Sequence, residues 1–146
     1  MMLRTEQKSI LVLDDDPDNA TLFKLGLQRK FGSHIFVFTD PFLALEHFKI
    51  NCERYGVVIS DVRMPVMNGY EFVTKVRQIN PEVKICLMSA FEVSDLEVNL
   101  LNSVKIDEFL QKPVSLEKLT EIIGNMLEIY NKSLFNMPNS ITGLDV

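Results

Sequence analysis

Residues 10–17 read Ile10-Leu11-Val12-Leu13-Asp14-Asp15-Asp16-Pro17, four apolar residues in unbroken succession running straight into three aspartates and a proline. A strand that is apolar at every position, rather than at every second one, is covered on both faces, as in a parallel sheet. Asp16 followed by Pro17 is a helix start, because the carboxylate accepts an orphan N–H and the proline ring presets the first helical φ. The octet therefore holds a buried strand, a sharp turn and a helix N-terminus, the opening of a βαβ unit. The helix should run to about Phe31-Gly32, with Ala20, Phe23 and Leu27 as its buried stripe.

The pattern then repeats. Ile35-Phe36-Val37-Phe38 ends at Thr39-Asp40-Pro41, before a helix carrying Phe42, Leu45 and Phe48. A third run, Gly56-Val57-Val58-Ile59-Ser60, ends at Asp61; a loop with Pro65 and the turn pair Asn68-Gly69 leads to a helix with Phe72, Val73, Val76 and Ile79. Residues 83–88 make a fourth strand, closed by Ser89-Ala90, with a helix over about 94–104. Residues 108–111 make a fifth, closed by Lys112-Pro113, and Ser115 caps a last helix whose apolar spacing ends at Tyr130. Gly124 within it costs about 1 kcal/mol relative to Ala. Five strand–helix units predict an α/β fold, a doubly wound five-stranded parallel sheet with five helices and right-handed crossovers.

The chain has 146 residues, enough for one domain. The expected division is a domain over 8–130 and a mobile C-terminal tail over 131–146. Fifteen Lys and Arg against twenty Asp and Glu give a net charge of −5, which argues against a direct nucleic-acid partner, whose footprint is a basic patch. Cys52 and Cys86 stand far apart in no metal-binding spacing, so neither a disulfide framework nor a zinc site is indicated. No apolar stretch approaches the roughly 18 residues of a membrane span, and the polar first residues carry no export signal, so a cytoplasmic protein without membrane insertion is expected.

In open parallel sheets ligands bind beyond the carboxyl ends of the strands, where strand order reverses. The residues at those ends are Asp14, Asp15 and Asp16, then Asp61, Ser89 and Lys112. The order 2-1-3-4-5 makes the first and third strands neighbours and sets the aspartates beside Asp61. Converging carboxylates repel unless a cation sits among them, and a hard divalent ion, Mg2+ by default, suits oxygen ligands. An ammonium and a hydroxyl nearby can hold phosphoryl oxygens, which makes the set a phosphoryl-accepting site. No glycine-rich nucleotide loop accompanies it.

Four stretches in register resemble the receiver domains of two-component response regulators: Ile10 through Pro17, Val58-Ile59-Ser60-Asp61-Val62-Arg63-Met64-Pro65 with Asn68-Gly69, Leu87-Met88-Ser89-Ala90, and Phe109-Leu110-Gln111-Lys112-Pro113. The resemblance covers about residues 8–130 and implies a flavodoxin-like fold and a phospho-accepting signalling switch, not a turnover enzyme. It implies Asp61 as phospho-acceptor, Asp14 and Asp15 with Asp61 and the backbone carbonyl of Arg63 as Mg2+ ligands, and Lys112 and Ser89 as phosphoryl-binding groups. It also implies Ser89 and Phe109 as the switch pair and a cis bond at Lys112-Pro113. The implied partners are a histidine kinase or histidine phosphotransfer protein and a downstream protein target, with homodimerisation on phosphorylation left open. Lys105-Ile106 departs from the small Gly-Ala pair usual before the fifth strand. Arg63 and Phe91 flank the site, and a bulky Phe91 should hinder an attacking water and prolong the phosphoaspartate.

Each residue also has a plainer use. Asp16 is read as a helix cap only, Ser89 alone is a turn hydroxyl, Lys112 alone a solvated strand-end lysine, and Phe109 plain core. Cys86 is read as core, and His34 and His47 as surface residues. Two other readings stand beside the leading one. A haloacid dehalogenase-like phosphatase would use Asp14 and Asp16 but leaves Asp61 unexplained, and a receiver fold acting as a phosphate-independent interaction module would ignore the acidic set. With only 16 residues beyond the domain, a single-domain regulator that docks to another protein is expected.

Overall fold

The computed structural model describes residues 7–92 and 94–135. Its elements alternate as the apolar runs require: β1 (Ser9–Leu13), α1 (Pro17–Phe31), β2 (Ile35–Phe38), α2 (Pro41–Asn51), β3 (Tyr55–Asp61), α3 (Gly69–Ile79), β4 (Lys84–Ser89), α4 (Asp95–Val104), β5 (Glu108–Gln111) and α5 (Leu116–Phe135). The five strands are parallel in the order β2-β1-β3-β4-β5.

Strand side chains alternate between two cores. Ile10, Val12, Val57, Ile59, Cys86 and Met88 pack with Phe23, Leu27 and Phe31 of α1 and with Leu119, Ile123 and Met126 of α5. Leu11, Leu13, Val58, Ile85 and Leu87 face the other way, onto Ala44, Leu45 and Phe48 of α2, Phe72, Val73 and Val76 of α3, and Val104 of α4. Because β1 and β3 are buried on both faces, residues 10–13 and 57–59 can be apolar at every position.

The proline-led helices start as the capping chemistry dictates. Asp16 accepts from the Asp18 N–H at 2.9 Å and Asp40 from the Phe42 N–H at 2.8 Å, each followed by proline in the first turn. α3 opens with a reciprocal box in which Asn68 accepts from the Glu71 N–H and Glu71 accepts from the Asn68 N–H. Gly69 cannot be replaced without movement here. A Cβ would run into the carbonyl oxygen of Asp61 and come within 2.8 Å of Val62 Cα, because the Gly69 N–H donates to Val62 O at 2.8 Å.

Two expectations change. α5 continues through Phe135, past the end of the apolar spacing at Tyr130, since no proline or glycine stands between Tyr130 and Pro138 to stop it; the remainder of the expected tail, 136–146, lies outside the described residues. His47 is not a surface residue but is half-buried, with ring centroids 5.0 Å from Phe36 and 5.2 Å from Phe38 and its Nδ1 2.9 Å from the Tyr55 hydroxyl. It lies beside the buried Phe48 on α2.

Candidate functional site: an acidic pocket at the carboxyl rim

Parallel strands in this order deliver their last residues to one rim. Asp14 follows β1 and is held to the neighbouring strand by its N–H, which donates to Phe38 O at 3.1 Å. Asp61 ends β3, paired in register with Met88, and Ser89 ends β4, paired with Gln111. Lys112 follows β5 and its N–H donates to Ser89 O at 2.7 Å; the Lys112–Pro113 peptide is cis. The β3–α3 loop is anchored at its start by the Val62 N–H, which donates to Met88 O at 2.9 Å.

Asp14, Asp15 and Asp61 converge so that one carboxylate oxygen from each lies within 4.8 Å of the other two. Asp14 is fully buried, Asp61 is 7% exposed and Asp15 half-buried. Both oxygens of Asp14 are engaged: Oδ1 accepts from the Asp16 N–H at 3.0 Å, and Oδ2 receives Lys112 Nζ at 3.2 Å. The same ammonium stands 3.4 Å from Asp61 Oδ2. Burial, joined by the charge of Asp14, pushes the Asp61 carboxyl up to about 6 against the opposing pull of Lys112. Burial works to lower the Lys112 pKa, but the carboxylates of Asp14 and Asp61 outweigh it and raise it. An all-oxygen donor set, crowded enough to hold a proton back on one member, matches a small hard dication.

The structure brings Asp14, Asp15, Asp61 and Lys112 together and leaves Asp16 outside, exposed and capping α1. Ser89 is buried, and its Oγ accepts from the Phe91 N–H at 3.1 Å, the turn-hydroxyl geometry. Phe109 is half-buried against the core beneath α2 and α3 and pairs with Leu87, two residues before Ser89. Arg63 and Phe91 meet across the rim, with the guanidinium carbon 4.6 Å from the ring centroid. The sequence set both residues beside the site, but their stacking on each other, across 28 positions, was not legible in it. A cavity of about 460 Å³ opens beside Asp15, lined by Arg63, Met64, Pro65, Asn68 and Tyr70. Tyr70 was missed as a lining residue, although its place directly after Asn68-Gly69 put it at the rim.

Residues 10–124 match the family model for the response regulator receiver domain. The chain belongs to the response regulator receiver family. The transcriptional regulatory protein ZraR of Klebsiella oxytoca is 32% identical over 122 residues, which are 84% of this chain and 27% of that protein. The sensor protein EvgS of Escherichia coli K12 is 31% identical over 125 residues, 85% of this chain and 10% of that one. The chain thus spans about a quarter or less of the length of these relatives. Among solved structures, chemotaxis protein CheY4 of Vibrio cholerae has a TM-score of 0.73 at 28% identity, covering 83% of this chain and 99% of its own. A CheY-like receiver domain protein from Methanospirillum hungatei shares the fold with a TM-score of 0.78 at 24% identity, over 88% of this chain and 99% of that one. The receiver fold is that of a signalling switch, and receivers carry Mg2+ at an acidic pocket of this kind. The phosphatase reading is not favoured, since it gives no role to the Asp61 around which the pocket is built. No helix among the described residues is long and apolar enough to cross a membrane.

Proposed function

We propose that this receiver takes a phosphoryl group onto Asp61 from a phosphohistidine of a histidine kinase or phosphotransfer protein and passes the signal on through protein contacts. The observation that carries the reading is the convergence of Asp14, Asp15 and Asp61 with a lysine 3.4 Å from Asp61 Oδ2. An Asp61 oxygen forms the new bond to phosphorus while the donor's phosphorus–nitrogen bond breaks and the imidazole leaves, so the phosphoryl group moves without oxidation or reduction. Asp14, Asp15 and Asp61, with the Arg63 carbonyl, would hold Mg2+, which supplies charge neutralisation for the phosphoryl oxygens. Lys112 leaves its carboxylate partners for a phosphoryl oxygen, as a point charge on a flexible stem can.

The phosphoryl group adds about −1.5 to −2 charge at the rim. Ser89 gives up its bond from the Phe91 N–H, turns its hydroxyl toward a phosphoryl oxygen, and Phe109 follows into the space it leaves. That change biases the surface of α4, β5 and α5 between two arrangements, which a downstream protein, or a second copy, reads. The domain, expected over 8–130, is taken to the end of α5 at Phe135, in a cytoplasmic setting where a kinase can reach the rim.

Incubation with Mg2+ and a small acyl phosphate, followed by intact mass, tests the assignment. One added phosphoryl group on the wild type, none on Asp61→Asn and none after chelation are expected. Unchanged labelling of Asp61→Asn would overturn it.

A further inference from the structure

At the end of the sheet opposite the acidic pocket, Arg77 of α3 sits with only 15% of its side chain exposed. A guanidinium has five N–H bonds, and here each has an oxygen. Nε donates to Val104 O at 3.0 Å, Nη1 to Pro81 O at 2.9 Å and to Val83 O, and Nη2 to Lys105 O at 2.8 Å and toward Asp107 Oδ2 at 3.4 Å. Asp107 is itself locked to β4: its Oδ2 accepts from the Ile85 N–H at 2.8 Å, and its own N–H donates to Ile85 O at 2.9 Å.

Val104 is the last residue of α4 and Lys105 follows it, so two of the five acceptors are carbonyls at the negative end of that helix. α4 has no basic residue of its own in its last turn. α3 supplies the missing cation from outside. The other end of α4 is reached from Ser89 and Phe91 along the β4–α4 loop, where the Phe91 N–H is spent on Ser89 Oγ, a bond that the hydroxyl gives up when it turns.

The geometry points to Arg77 as the pivot of α4, a positioning residue that clamps the C-terminal end of the helix to α3 and the start of β4. Phosphorylation at Asp61 then moves only the N-terminal end of α4. The confinement rests on the function proposed above; the clamp does not. A lysine at 77 keeps the charge but has a single nitrogen, which cannot span carbonyls from the α3–β4 and α4–β5 connections at once.

Hydrogen–deuterium exchange on the full chain, free and with Mg2+ plus beryllofluoride as phosphoryl mimic, tests both halves. In the wild type, exchange over 94–98 should change tenfold or more on adding the mimic, while 102–107 changes less than threefold. In free Arg77→Lys, 102–107 should exchange at least tenfold faster than in the wild type, with β1 and β3 unaltered, and the effect of the mimic should spread into 102–107. Should Arg77→Lys also loosen β1 and β3, Asp107→Asn keeps an acceptor for Ile85 while removing the facing charge, and should accelerate 102–107 alone. A free-state rate over 102–107 within twofold of wild type in the folded variant overturns the clamp. Equal changes at both ends of wild-type α4 overturn the confinement. A mimic that alters nothing, including 58–62, overturns the Asp61 assignment and the confinement with it, and the free-state comparison still decides the clamp.

Discussion

At the scale of single residues, Asp61 and Phe91 make the sharpest predictions. The Asp61 carboxyl stands at about 6 in the folded chain against 3.8 for a free side chain, so between those values the native state holds more protons than the unfolded one. The contribution of this group to stability is therefore greatest below about pH 4 and is lost as pH rises through 6. Asp61→Asn should stabilise the magnesium-free protein by roughly 1–3 kcal/mol at pH 7.5, and the gain should shrink toward pH 4. Thermal melts in chelator across that range check it, and a gain independent of pH would contradict the assigned cause. Phe91 is 57% exposed, yet its ring lies under the Arg63 guanidinium, so the two side chains roof one side of the rim. Phe91→Ala should shorten the lifetime of the phosphorylated protein several-fold, because water then approaches the phosphoaspartate unhindered. Timing phosphate loss after removal of the donor compares the two, and a mutant no faster than wild type would remove this role.

At the scale of elements, Lys105 is where the departure from the family's small pair is resolved. It adopts φ of 62°, in the left-handed region, directly after α4. A side chain there costs about 1–2 kcal/mol, and glycine relieves that against its own entropic penalty of about 0.5–1 kcal/mol. Lys105→Gly should therefore raise stability by about 0.5–1 kcal/mol without disturbing the Lys105 carbonyl that Arg77 holds, as chemical denaturation with an unchanged slope would report. The proline-led helix starts were legible because their signals are local, Asp16-Pro17 and Asp40-Pro41 each acting within three residues, whereas Asn68 was read only as a turn residue and its reciprocal box with Glu71 came with the structure. The Arg77 cluster was not legible, since its five acceptors come from the loop into β4, the end of α4 and the loop into β5 and meet only after folding. His47 was misread for a related reason: its neighbours Phe36, Phe38 and Tyr55 lie on two strands that its own helix period does not reveal.

At the scale of the whole molecule, the strand order brings the ends of three strands distant in sequence into one pocket. The crossovers alone told only that the sheet is parallel, since several doubly wound orders share them, and the resemblance to receiver domains singled out the order 2-1-3-4-5. The pocket gathers three carboxylates, two of which, Asp14 and Asp61, share one ammonium. Mg2+ should raise the melting temperature of the wild type at pH 7.5, since a ligand that binds only the folded chain stabilises it by mass action, and Asp15→Asn should blunt the rise. Lys112→Met should lower stability in chelator by a few kcal/mol, the order expected when a buried ion pair loses one partner, and Mg2+ should recover most of the loss. Melts with and without the metal decide this; an equal deficit in both conditions would break the link. Lys112 is thus an understudy for the ion: a cation tethered to the chain that occupies the stage in magnesium-poor conditions and can step aside when the metal arrives. In the function proposed, a receiver built this way stays folded while idle, and its lysine would become available for the phosphoryl group once the metal takes its place.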